Sequence, residues 1–319
     1  MSRLFKLLWF ILLAICFPCI SFAVDFTFVA WGDTREGYPN LQTMSPQVLA
    51  KNPDFLLFSG DLESSGFTTS GMTTFINAYN GGTGNGLSSK TFFVRGNHDG
   101  SNVTGWESYF NFAEVTDVIG AMNYSSHLTD RAYSFDYGNS HFIGLDVPGD
   151  ISGLGSAQIT WLNTDLTAAE GRGIVNSFIF VHGPPYCVNG HCLYSTIFGD
   201  TAPKTFWDIV NNHMSVKVLF AGHEHVKTRT LLNNIRIPEL TRDVVQIVAG
   251  AAGAPAYSCD KPNRYEWCNN AHGYTVVEVT DRVIRFKTYN QNSSDVQDDY
   301  IFGESPILIP AAPTNLFVE

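Results

Sequence analysis

Nine consecutive residues, Thr91-Phe-Phe-Val-Arg-Gly-Asn-His-Asp99, set an amide, an imidazole and a carboxylate in succession after a short apolar run. Asn97 offers a hard oxygen ligand and His98 a proton donor, and Asp99 is expected to fix the tautomer of His98. Four other apolar runs end in comparable residues. These are Gly32-Asp33, Gly60-Asp61, His182 and Gly222-His223-Glu224-His225. Carboxylates, an amide oxygen and neutral imidazoles suit borderline cations such as zinc, manganese or iron, and no thiolate is involved. Two ions roughly 3.5–4 Å apart clamp a phosphoryl oxygen and turn a shared water into hydroxide near neutral pH. Asp61, with two carboxylate oxygens, is the residue placed to bridge them. The hydroxide then attacks phosphorus in line with the leaving group. His98 protonates the departing alkoxide or contacts the phosphoryl oxygens, a role worth roughly 10²–10⁴-fold.

Such residues need strands to carry them. Phe26–Trp31, Phe55–Phe58, 91–94, 178–181 and Val216–Ala221 are nearly continuous apolar runs, the mark of strands covered on both faces. In an α/β sheet, ligands collect beyond the carboxyl ends of the strands. Helices are predicted around 46–51, 73–79, 106–112, 157–169 and 203–213, with Trp161 in the core. Residues 132–147 read as a hairpin. After His225 the pattern reads as antiparallel, with strands at Lys227–Leu232, Val244–Ala249 and a hairpin across 275–289. His127, His141, His191, His213 and His272 fit no ligand pattern and are read as structural or solvated.

The chain has 319 residues and a formal charge of −11. Residues 1–23 have the layout of an export signal: Arg3 and Lys6, an apolar run, then Ser21-Phe22-Ala23. The run from 7 to 20 is shorter than the roughly 20 residues of a spanning helix, and Pro18 interrupts it. Cleavage after Ala23 turns 319 residues into 296, and losing Arg3 and Lys6 takes the charge from −11 to −13. A secreted or periplasmic protein without a membrane span is expected, with a catalytic domain over 24–302 and a tail over 303–319. Its acidity makes nucleic-acid polymers poor partners. In an oxidising compartment Cys187–Cys192 and Cys259–Cys268 are the expected bridges. The alternative is a zinc clip built from Cys187, His191 and Cys192.

The ordered set Gly-Asp, Gly-Asp, Gly-Asn-His-Asp, His and Gly-His-Glu-His resembles the calcineurin-like metallophosphoesterase superfamily, with some likeness to purple acid phosphatases. The resemblance covers nearly all of the chain after residue 23. It implies a four-layer α/β/β/α sandwich, with two mixed sheets face to face between helices. It implies one ion held by Asp33, Asp61 and His225, and another by Asp61, Asn97, His182 and His223. It also implies His98 as acid or phosphate contact. Many members carry a histidine two residues after the first aspartate; here that residue is Arg35. Purple acid phosphatases use a tyrosine three residues after the second aspartate; here it is Ser64. The first ion therefore lacks one ligand. Arg35 is read as a fixed cation for the substrate phosphate, against the alternative of a surface pair with Glu36. The expected activity is hydrolysis of small phosphate monoesters. A phosphodiesterase or nucleotide hydrolase on the same site is the alternative, followed by a non-catalytic binding protein that keeps the fold.

Overall fold

The computed structural model describes residues 26–147, 154–192 and 201–303. The expected export signal, and all of the expected tail beyond Gly303, lie outside them. Two mixed sheets form the centre. The first contains β1 (Phe26–Trp31), β2 (Phe55–Phe58) and β3 (Thr91–Phe93), which are parallel. The second contains β4 (Met122–Leu128), β5 (Ala132–Tyr137), β6 (Ser140–Gly144), β7 (Asn176–Phe180), β8 (Val216–Ala221), β9 (Lys227–Leu232), β10 (Val244–Ala249) and β11 (Trp267–Asn269). The chain then returns to the first sheet as β12 (Gly273–Thr280), β13 (Val283–Asn290) and β14 (Val296–Phe302). The strand orders are β14-β13-β12-β1-β2-β3 and β11-β9-β10-β8-β7-β6-β5-β4.

One expectation needs correction. The chain after His225 is not wholly antiparallel: β9 turns outward, and β10 comes back between β8 and β9, parallel to β8. The uniform burial of β10 fits that interior place.

Phenylalanines fill the space between the sheets. Phe28 of the first sheet stacks on Phe55 at 5.2 Å and meets Phe142, Phe178 and Phe220 of the second edge-on at 5.3–5.6 Å. On the outer side of the first sheet, α1 (Tyr38–Leu49) and α2 (Thr69–Tyr79) bury Met44, Phe75 and Tyr79. The Trp31 indole donates to the Tyr79 hydroxyl there. Against the second sheet, α5 (Ser156–Gly171) and α6 (Lys204–Asn212) bury Leu162, Leu166, Phe206 and Trp207 beside Ile179 and Leu219. The result is four layers.

Local differences have local causes. Helix α1 begins at Tyr38 rather than at 46, with Pro39 in its first turn and Pro46 inside it. The helix predicted around 106–112 is two helices, α3 (Val103–Tyr109) and α4 (Phe112–Ile119). Extended backbone at Phe110 ends the first, and Asn111 caps the second by accepting from the Glu114 N–H. Trp161 is only half-buried and stacks on His127 instead of entering the core.

Candidate metal centre

Three strands of one sheet and two of the other deliver their carboxyl ends to a common seam. Asp33 follows β1, Asp61 follows β2 and Asn97 follows β3, while His182 follows β7 and His223 and His225 follow β8. All are buried except Asn97, which stands at the mouth. Asp33, Asp61 and His223 have φ of 63°, 54° and 64°, a left-handed backbone that side-chain-bearing residues adopt at a cost of about 1–3 kcal/mol each. Cross-links between the turns hold them there. The N–H of Asp33 donates to the Gly60 carbonyl at 3.0 Å, that of Thr34 to Asp61 at 3.0 Å, and that of Gly222 to His182 at 2.9 Å. Gly96 and Gly222 are required by space: a Cβ on either would run into the Asp61 or Asp33 carboxylate.

The rings are turned inward by their outer nitrogens. His182 Nδ1 donates to the Ser59 carbonyl at 2.8 Å, and His225 Nδ1 to that of Pro255 at 2.8 Å. A carbonyl can only accept, so each neutral ring points the lone pair of Nε2 into the site. His182 Nε2 lies 3.4 Å from Asp61 Oδ1 and 2.9 Å from Asn97 Oδ1, and His225 Nε2 lies 3.7 Å from Asp33 Oδ1. His223 Nδ1 lies 3.0 Å from Asn97 Oδ1. Asp61 Oδ2 is buried with no hydrogen-bond partner. Donor atoms of Asp33, Asp61 and His225 lie within 4.8 Å of one another. At His182 and His225 a ring lone pair faces a carboxylate oxygen with no hydrogen between them, which is what a cation resolves.

The charges agree with that fit. Burial, and then the neighbouring Asp61, push the Asp33 carboxyl well above its ordinary range. Burial, then His182, His191 and His225, push His223 down to about 2. Burial lowers His225 to about 4, with Arg35 and His182 adding to it and Asp61 opposing. The two imidazoles are thereby neutral, the form that ligates.

The expected catalytic residues fall into three situations. The His98 backbone N–H donates to Asp61 Oδ1 at 2.9 Å, and its Nδ1 donates to the Ser64 carbonyl at 2.9 Å. Its tautomer is therefore set by Ser64, and the role expected for Asp99 is corrected. The 96–99 turn, closed by the Asp99 N–H on the Gly96 carbonyl, folds Asp99 under the loops. There its carboxylate accepts from the N–H groups of Asp61, Leu62, Glu63 and Gly96 at 2.6–3.2 Å. Burial and the nearby Asp61 raise it to about 8. Arg35 is half-buried, and its Nε is without a hydrogen-bond partner. Among the described residues it forms no ion pair with Glu36, and its charge acts on Asp33, His225 and Tyr257.

Two residues escaped the sequence reading. His191, expected to be structural or solvated, stacks on His223 at 5.0 Å, and Tyr257 stacks on His225 at 4.4 Å. Glu224, between the two histidines, anchors the first of these. Its buried carboxylate accepts from the N–H groups of Val188 and Asn189 at 2.8 Å and of His191 at 3.3 Å. Cys187 and Cys192 are joined in a disulfide, which removes the zinc-clip alternative, and Cys259–Cys268 is the second bridge. The sequence reading gives His191 a site role only in the zinc-clip alternative, and the disulfide excludes that clip.

No curated protein matches the chain. Several solved structures share its fold. The yellow lupin purple acid phosphatase PPD1 superposes with a TM-score of 0.65 at 13% identity, over 94% of this chain and 58% of its own. The chain thus spans little more than half of that enzyme. A dimetal phosphatase from Danio rerio gives 0.58 at 15% identity, over 89% of this chain and 100% of its own. GAP50, the anchor in the inner membrane complex of Plasmodium, gives 0.58 at 14% identity, over 89% and 90%. At such identities the likeness is one of fold. The calcineurin-like phosphoesterase family model, in contrast, matches residues 26–227, which include every ligand candidate at the seam. With well over half of its length matched, this chain belongs to the calcineurin-like phosphoesterase family.

Proposed function

We propose that the chain is an exported, metal-dependent phosphomonoesterase of small substrates, with two ions at the seam. Asp33, Asp61 and His225 would hold one ion, and Asp61, Asn97, His182 and His223 the other. The observation that carries this is the His182 Nε2 lone pair directed at Asp61 Oδ1, 3.4 Å away, beside an Asp61 Oδ2 that no hydrogen reaches. Bound divalent cations supply Lewis-acid polarisation of a phosphoryl group and acidify water.

The chain's own groups do the rest. With Nδ1 of His98 donating to Ser64, Nε2 is the ring nitrogen left to face the leaving oxygen, and it gives that oxygen a proton from the imidazolium form, in which both nitrogens carry hydrogen. Arg35 supplies a fixed positive charge beside Asp33 for the phosphate oxygens. Asp99 touches no reacting atom; it holds the Asp61 and Asn97 turns in register. The two disulfides support an oxidising compartment.

The test is metal content by mass spectrometry together with hydrolysis of p-nitrophenyl phosphate and its bis ester, with manganese or zinc and then a chelator. The expected result is about two ions per chain and faster cleavage of the monoester, abolished by the chelator. Faster cleavage of the bis ester overturns the monoesterase assignment, and cleavage of neither overturns the enzyme.

A further inference from the structure

A cavity of about 540 Å³ is lined by Asn189, His191, Tyr257, Ser258 and Asp260. It falls within the roughly 300–1,000 Å³ of small-molecule sites. Its inner wall is shared with the centre: His191 rests on His223, Tyr257 on His225, and the two rings meet edge to face at 5.0 Å. Its walls are held in place. The 187–192 turn is closed by a disulfide and hydrogen-bonded to the buried Glu224, and the segment after Tyr257 is closed by Cys259–Cys268. Asn189 Oδ1 is buried and without a hydrogen-bond partner, so one wall carries an unused acceptor. Ser258 and Asp260 are exposed and hydrogen-bonded to each other at 3.2 Å, adding further polar atoms at the rim.

We infer that this cavity is the leaving-group subsite of the phosphoesterase, and that it takes a nucleoside. The inference rests on the proposed phosphoesterase activity. With the phosphate at the seam, the group bonded to it has to leave along one of the openings, and two rings that line this cavity, His191 and Tyr257, rest on the ligand candidates His223 and His225. Tyr257 and His191 offer aromatic surface for a flat base, and Asn189 and Asp260 offer acceptors for ribose hydroxyls or a base amine. A small polyol has no ring to stack, and an alkyl chain would leave the Asn189 oxygen unpaired.

The experiment compares kcat/KM for AMP with that for glycerol 3-phosphate, in the wild type and in Tyr257→Ala, with folding checked by circular dichroism. The wild type is expected to prefer AMP by at least about tenfold, and the variant to lose about tenfold of that ratio, in line with base–aromatic stacking. A wild type without preference, or a ratio unchanged within about twofold in the variant, overturns the subsite. Should the wild type cleave neither ester, the phosphoesterase reading fails instead. Saturation-transfer NMR with adenosine alone then decides the subsite: binding lost in Tyr257→Ala supports it, and no binding to the wild type sinks it.

Discussion

At the scale of single residues, the centre is governed by which atom of each ring is already spoken for. His98 has given Nδ1 to Ser64 and its backbone N–H to Asp61. Replacing it by Gln is expected to lower kcat roughly 10²–10⁴-fold in steady-state kinetics while leaving the melting temperature within a degree or so. Arg35→Ala, which removes a charged hydrogen-bond donor worth about 1.5–3 kcal/mol, should cut kcat/KM roughly 10–100-fold, mainly through KM. Ligand types were readable from the chain because each group of them opens after a glycine or an apolar run, at Asp33, Asp61, Asn97, His182 and His223. Asp99 was misjudged because adjacency in sequence does not give direction: the turn at Gly96 points its carboxylate at four backbone N–H groups, away from the neighbouring ring. His191 was missed for the converse reason, since what brings it to His223 is a loop seated on Glu224, a contact with no local signature.

At the scale of elements, the hairpin of β5 and β6 is tied to α5 by a buried ionic cage. His141 lies between Asp136 at 2.6 Å and Asp165 at 2.8 Å, and Arg172 donates twice to Asp136. Asn123 also donates to Asp136, and Ser134 to Asp165. Burial works to lower the His141 pKa, but the two carboxylates prevail and hold it above the ordinary value. Burial works to raise Asp136, but His141 and Arg172 hold it down to about 2. The histidine's contribution is therefore complete below the ordinary histidine pKa near 6.5 and fades as pH rises through its raised value. The aspartate's is complete above about 4 and fades towards 2. His141→Gln should cost roughly 3–5 kcal/mol near pH 5, with the gap in melting temperature narrowing by pH 9; a gap independent of pH would contradict the cage. The hairpin itself was legible from alternation and its Gly-Asn turn. Strands β4, β11 and β14 were not: they are edge or short strands, with exposed or mixed faces that give no apolar run.

At the scale of the whole molecule, the centre is shared between two sheets that meet through phenylalanines. An ion held by Asp61 of one and His182 of the other binds only when both are assembled. Stripping the metal should therefore lower the melting temperature by several degrees in calorimetry, corresponding to about 2.7 kcal/mol when free metal stands at 100 times its dissociation constant. Restoring metal should restore it. The strand order carries one more consequence. Every ligand candidate precedes residue 226, yet β1, which leads to Asp33, takes its outer neighbour from β12, far downstream, with Phe28 beside Val277 and Ala30 beside Thr275. A shortened version ending at Val226 would own every ligand candidate and none of the flank that keeps Asp33 in line, and it should come out of expression as inclusion bodies. Anyone trimming this protein to its motifs would be discarding the buttress.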